Sequence, residues 1–196
     1  MTEWTSETAE WYASNYGEYP TNRLAVDELD LPTDAVVVDV GCGTGYALRH
    51  ASREVTRGRL IGIDPVPRMI EIARERTLDH PDSARIEFRV GSAESLPVEN
   101  QAADVVFAFD SMDHWPDMER GLEEIRRILR PRGMLAIVKD QAVPGAAEAG
   151  RFAADTVGRA GFSAMDKREI SGEGVSFTLW TWRLTERQLD VPPAPA

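Results

Sequence analysis

The sequence predicts an α/β protein whose mostly parallel sheet carries helices on both faces and whose final strand runs the other way. Three observations predict it. Short β-rich runs alternate with helical patterns along most of the chain, which is the order of repeated βαβ units. The last two β-rich runs are joined only by "SGEG", too few residues for a parallel crossover, so they form an antiparallel hairpin. The final run alternates Val175, Phe177 and Leu179 with Trp180, Trp182 and Leu184. Apolar groups on both faces are what a strand covered from both sides requires.

Seven strands follow in order: "AVVVDV" (35–40), "RLIGID" (59–64), "RIEFRV" (85–90), "DVVFAF" (104–109), "GMLAIVK" (133–139), "FSAMDKREI" (162–170) and "VSFTLWTWRL" (175–184). Between them, Val66, Met69, Ile70 and Ala73 mark one helix. Met118, Leu122, Ile125, Ile128 and Leu129 mark another, with charged residues on its other sides. On that second helix Glu123 and Arg127 stand one turn apart, at pairing spacing. An alanine-rich helix is expected over about 146–159, and only "DQAVPG" separates it from the fifth strand, so no large cap is inserted there. Ahead of the sheet, "EWYASNYGEYP" gathers Trp11, Tyr12, Tyr16 and Tyr19, either as a lid over a site or as a hydrophobic latch on the core. The reading is one domain: a helical lid or latch over 1–30, a sheet core over 35–186 and a mobile, proline-rich tail over 187–196.

Composition narrows the function. The 196 residues, 42% hydrophobic and 28% charged, suit a globular protein with a real core. A formal charge of -11 works against nucleic acid as a partner, because affinity for phosphates comes from Lys and Arg. No apolar run is long enough to span a bilayer, and "MTEWTSETAE" lacks the basic-then-apolar order of a signal peptide. The expectation is a cytoplasmic protein with neither nucleic-acid nor membrane partner. Cys42, the single cysteine, has no partner for a disulfide or a thiolate metal site. Its place inside a glycine loop points to small size rather than thiol chemistry, and no metal site is expected.

That loop is "VVVDVGCGTG", in which a strand breaks at Gly41, Gly43 and Gly45. Glycines between a buried strand and a helix let the backbone turn tightly and let a ligand approach it, while the helix start offers N–H groups to an anion. The third position of a dinucleotide fingerprint is Tyr46 here, and no Gly-Lys-Ser/Thr follows as in a phosphate-cradling loop. At the end of the second strand stands Asp64. A carboxylate there can accept from both hydroxyls of a ribose. Followed by Pro65, it equally reads as a helix N-cap with proline at the first helical position.

"VVVDVGCGTG", "GIDPVPRMIEIAR", "GSAESLPVENQAADVV", "FAFDSMDHWPD" and "EEIRRILRPRGMLAIV", in this order and spacing, resemble the successive motifs of class I S-adenosylmethionine-dependent methyltransferases of the small-molecule type. The resemblance implies a Rossmann-like seven-stranded sheet in the order 3-2-1-4-5-7-6, strand 7 antiparallel, with S-adenosyl-L-methionine over the carboxyl ends of strands 1 to 4 and a small-molecule methyl acceptor beside it. By the same resemblance Asp39, Gly41, Gly43 and Gly45 surround the methionine part, with Cys42 among them. Asp64 is the ribose acid, with Pro65 next to it, and Met69 packs near adenine. Ser92, Ala93 and Glu94 edge the adenine, and Phe109 lines the methionine moiety.

The chain departs from the pattern in three places. Ser92 stands where the family commonly has an aspartate reaching the adenine amino group, and Pro131-Arg132-Gly133 replaces the usual Pro-Gly-Gly. After the fourth strand stand Asp110 and Asp113-His114 instead of an apolar residue and a His-His pair. Asp110 and His114 are therefore the catalytic candidates, to orient or deprotonate the acceptor. The plainer alternatives are a turn cap for Asp110, a helix start for Asp113 and a packed imidazole for His114. Two other functions stand beside methyl transfer: a protein that binds S-adenosylmethionine without transferring methyl, and a nicotinamide-dependent dehydrogenase, against which Tyr46 and the terminal hairpin argue. His50 and His80 receive no role.

Overall fold

Strand β1 (Val36–Val40) sends Val37 to one face of a sheet and Val38 and Val40 to the other, and each set is buried beneath a different apolar cluster. Burial from both sides is why its sequence reads as nearly continuous valine. The computed structural model in which this is seen describes residues 5–141 and 155–185. β1 pairs in parallel with β2 (Arg59–Asp64) and β4 (Ala103–Phe109), β2 with β3 (Ile86–Val90), and β4 with β5 (Leu129–Asp140). β7 (Val175–Leu184) lies antiparallel between β5 and β6 (Phe162–Gly172). The order is β3-β2-β1-β4-β5-β7-β6. Strand order reverses between β1 and β4, which opens a crevice at their carboxyl ends.

Before the sheet come α1 (Ser6–Tyr16) and α2 (Pro20–Asp27). Within it come α3 (Tyr46–Ala51), α4 (Pro67–Thr77) and α5 (Met118–Ile128). α2, α3 and α4 bury Ala25, Leu48 and Ile70 on the face that holds Phe107 and Phe177. α5 buries Leu122, Ile125 and Ile128 on the other, with Val157 from the helical stretch 155–159. α1 is fastened from outside: Arg68 of α4 lies 2.6 Å from Glu10, and Arg76 Nη2 donates to the Ala13 carbonyl at 2.8 Å. Thr44 Oγ1 donates to the carbonyl of Gly17, joining the N-terminal segment to the glycine loop.

The structure corrects several local expectations. α5 stops at Ile128, and Leu129 opens β5 opposite Ala103. An apolar residue at that position satisfies helical and strand patterns alike, and pairing with β4 decides it. The Pro131-Arg132-Gly133 segment is then an irregularity in β5, because the register jumps from Ala103–Leu129 to Val105–Met134. It lies at the end of β5 away from the crevice. Arg127 pairs with Glu124 at 2.7 Å rather than with Glu123, which pairs with Arg120 at 2.8 Å. The hairpin turn is tighter than "SGEG": β6 runs to Gly172, and Glu173 and Gly174 both take positive φ, 51° and 82°, the two-residue turn that matches strand twist. Only the end of the helix expected over 146–159 is described. Most of it, most of "DQAVPG" and the tail expected over 187–196 lie outside the described residues. Among the described residues no helix is long and apolar enough to cross a membrane.

Candidate active site

The crevice holds two adjoining cavities, of about 260 and about 460 Å³. Asp64, Met69 and Ala93 line the smaller one, and Asp39, Cys42 and Lys139 line the larger. Six residues line both: Tyr12, Gly41, Gly43, Phe109, Asp110 and His114.

The glycine loop forms the shared floor. Gly41 takes φ +83°, and a Cβ there would lie 2.5 Å from the Ser111 Cβ, so the close approach of this loop to the turn after β4 requires glycine. Gly45, at φ +77°, lies outside both cavities; its missing Cβ makes room for the Phe88 ring, 2.5 Å from where it would stand. Its role is packing behind the loop rather than contact with the crevice.

The loop amides that sequence reasoning offers to a ligand are largely spent inside the protein. Gly41 and Cys42 both donate to the Ile63 carbonyl, at 2.8 and 3.0 Å, and Gly45 donates to the Cys42 carbonyl at 2.9 Å. Gly43 donates to Asp64 Oδ2 at 3.0 Å. Parallel pairing with β2 brings Ile63 opposite Val40, and the loop closes onto that strand end. Cys42 is buried, its Sγ lying toward Gly62, and burial pushes its thiol well above the ordinary range. It packs beside Gly62 and also lines the larger cavity.

Asp64 is not the cap of α4. That helix starts at Pro67 with Val66 as N-cap. Asp64 accepts from Val66 N at 2.9 Å with Oδ1 and from Gly43 N with Oδ2, fastening the glycine loop while its second lone pairs stay available. Burial raises its carboxyl, opposed by those two N–H bonds.

Asp39 differs. It is 3% exposed and lines the larger cavity, and among the described residues no hydrogen bond or ion pair reaches it. Burial, then the nearby Asp64 carboxylate, push it up to about 8. Ionising an unpaired buried carboxyl is costly, and the raised value is how the fold meets that cost.

Pro65, Met69, Ser92, Ala93 and Glu94 all line the smaller cavity. Met69 is fully buried, while Glu94 Oε1 accepts from Asp117 N at 3.2 Å. Across the junction, Asp110 adopts φ +48°, a conformation aspartate tolerates better than most residues because its side chain bonds locally. Here its Oδ1 accepts from Asp140 N at 2.7 Å and lies 4.0 Å from Lys139 Nζ. So Asp110 ties β4 to the end of β5 instead of capping the turn that follows it. Burial pushes it up to about 6, against the pull of the Asp140 N–H and Lys139. Asp113 starts no long helix: it sits in a single 3₁₀ turn over Met112–His114 and pairs with Lys139 at 2.8 Å, while α5 is capped by Asp117. His114 is exposed on the cavity wall rather than packed.

The main element missing from the sequence-based site is Tyr12. From α1 it lines both cavities, and burial, then the Asp110 and Asp64 carboxylates, push its phenol up to about 12. The tyrosine-rich segment was the available signal, but only the docking of α1 shows which ring faces inward. Asn22 and Asp140 are further lining residues that no motif marked, and Trp115, inside the fourth motif, was given no role.

Residues 38–137 match the profile of the family described as Methyltransferase domain. The chain is similar to Methyltransferase GfsG of Streptomyces halstedii, 34% identical over 121 residues that cover 62% of this chain and 43% of that protein. It is also similar to the ubiquinone/menaquinone biosynthesis C-methyltransferase UbiE of Hahella chejuensis, 30% identical over 118 residues that cover 60% of this chain and 47% of that one. It thus spans less than half the length of these two relatives. Among solved structures it resembles a SAM dependent methyltransferase from Aquifex aeolicus, with a TM-score of 0.74, 18% identity, and coverage of 92% of this chain and 99% of that one. At that identity the likeness speaks for the fold.

Proposed function

This chain belongs to the Methyltransferase domain family, and we propose that it transfers the methyl group of S-adenosyl-L-methionine to a small-molecule acceptor. The observation that carries the reading is Asp39: a buried carboxyl with no partner among the described residues, on the wall of a cavity that adjoins a second, nucleoside-sized one.

In this reading the smaller cavity takes the adenosine. Asp64 accepts from the ribose hydroxyls with its remaining lone pairs, and the Met69 side chain supplies an apolar surface for the base. Ser92 offers a hydroxyl to the adenine edge, a weaker acceptor than the aspartate common in the family. The larger cavity takes the methionine end, where Asp39 meets the ammonium. S-adenosylmethionine supplies a methyl group on a sulfonium, whose leaving thioether is neutral. Positioning can then provide most of the acceleration. Phe109, Asp110, Tyr12 and His114, which border both cavities, surround the junction, with Asp110 and His114 able to orient the acceptor or take its proton.

Calorimetry with S-adenosylhomocysteine tests the site: micromolar binding is expected, and none with NAD. Turnover of labelled methyl groups then separates a transferase from a protein that only holds the cofactor.

A further inference from the structure

Among its described lining residues the larger cavity carries more acids than the cofactor uses up. Asp39, Asp110, Asp113 and Asp140 line it, and among its described lining residues the cations are Lys139 alone. Lys139 is already committed, 2.8 Å from Asp113 and 4.0 Å from Asp110. With Asp39 given to the methionine ammonium and Asp140 left out of the count, Asp110 and Asp113 still outnumber the lysine. Asp110 accepts its one described hydrogen bond, from Asp140 N, with Oδ1, which leaves Oδ2 for a guest.

The same cavity has an aromatic wall. Tyr12, Tyr16 and Tyr19 line it, with ring centroids 5.6 Å apart for Tyr12 and Tyr16 and 5.8 Å for Tyr16 and Tyr19. Tyr16 keeps 42% of its surface exposed at the rim. Carboxylates beside aromatic faces are the surroundings that favour an organic cation and repel phenolates, carboxylates and thiolates.

We propose that the methyl acceptor is a small primary or secondary amine, held as its ammonium between Asp110 and the Tyr12–Tyr16–Tyr19 wall and methylated on nitrogen. The proposal rests on the methyltransferase reading above. In the step, the ammonium gives one proton to Asp110, which passes it to solvent. The nitrogen lone pair then forms the N–C bond as the methyl C–S bond breaks, with that electron pair going to sulfur. The positive charge that leaves sulfur reappears on nitrogen beside Asp110. An anionic oxygen acceptor would instead extinguish the charge, and the acidic wall would oppose its entry.

The test uses the full chain saturated with S-adenosylhomocysteine and a matched set of probes: 2-phenylethylamine, 2-phenylethanol, phenylacetate and 2-phenylethanethiol, titrated by calorimetry. The amine is expected to bind at least about tenfold tighter than any of the others, the size of a close charge pair. Asp110→Asn should remove that preference. Tyr16→Ala should weaken the amine by about threefold to tenfold while Tyr16→Phe, which keeps the ring, should not. Labelled methyl from S-adenosylmethionine should appear on the amine alone. Equal or better binding of the alcohol, acid or thiol, absence of amine binding, or an unchanged preference in Asp110→Asn would overturn the amine assignment. Failure of S-adenosylhomocysteine itself to bind would instead overturn the methyltransferase reading.

Discussion

The corner where β1 meets β2 and the corner where β4 meets β5 face each other across the crevice, and they handle their polar groups in opposite ways. At the first, the amides of Gly41, Cys42, Gly43 and Gly45 are consumed by Ile63, Asp64 and the loop itself. That corner gives the cavity a shape. At the second, Asp110, Asp113, Lys139 and Asp140 turn charge toward the cavity, Asp110 from a backbone at φ +48°. The glycine loop therefore acts as a close-fitting floor more than as a donor array, and discrimination among ligands falls to side chains.

The largest expected effect tests the floor. Gly41→Ala places a methyl 2.5 Å from the Ser111 Cβ at φ +83°. Left-handed strain and overlap together are expected to cost more than about 3 kcal/mol and to abolish binding of S-adenosylhomocysteine. Urea unfolding and calorimetry measure both. A variant as stable as the parent would mean that the two corners do not meet as described.

Next in size is Asp64→Asn, which probes the fastener of the floor and the proposed nucleoside contact. Were Asp64 only an N-cap, asparagine would serve about as well. Since Asp64 accepts from two backbone amides with two different oxygens, asparagine can replace only one of those bonds. The melting temperature should fall by an amount equivalent to about 1 kcal/mol, and S-adenosylhomocysteine should bind at least about tenfold more weakly as the charged acceptor is lost. Loss of stability with unaltered affinity would leave Asp64 a loop fastener and nothing more.

The two corners also differ in how much the sequence reveals. The strands were legible because two-sided burial writes itself as Val and Ile runs, and the hairpin because four residues cannot make a crossover. The glycine loop was legible as a motif, as were Asp39, Asp64, Met69 and Ser92 to Glu94 around the crevice. What the loop's amides do was not, since the acceptors of Gly41, Cys42 and Gly43 are Ile63 and Asp64 of another strand, brought near only by the parallel register. Gly45 looked like its two neighbours, yet its contact is Phe88 of β3. Around β4, the sequence marked Asp110 and His114 by their position. It did not reveal that Asp110 bonds the Asp140 amide, nor that Tyr12 from α1 lines both cavities. Both facts depend on tertiary approach of segments far apart in the chain.

The smallest signal comes from Asp39, which belongs to the first corner by sequence but faces the cavity as the second corner's acids do. In the folded chain its carboxyl is raised to about 8, against about 4 for an ordinary aspartate, so it keeps its proton at neutral pH. The folded state then binds more protons than the unfolded one between those two values, and stability falls as pH rises through that window. Asp39→Asn should flatten that decline in melting temperature. An ammonium arriving beside Asp39 favours the ionised form, so binding of S-adenosylhomocysteine near about pH 7 should expel a fraction of a proton. Calorimetry in phosphate and in Tris, whose ionisation enthalpies differ, measures it. The release should vanish in Asp39→Asn and, in the parent, above about pH 9, where the acid is already ionised. Identical heats in the two buffers near neutrality would mean that the ammonium does not sit at Asp39, and the charge the cavity keeps for an acceptor would have to be counted again with that acid included.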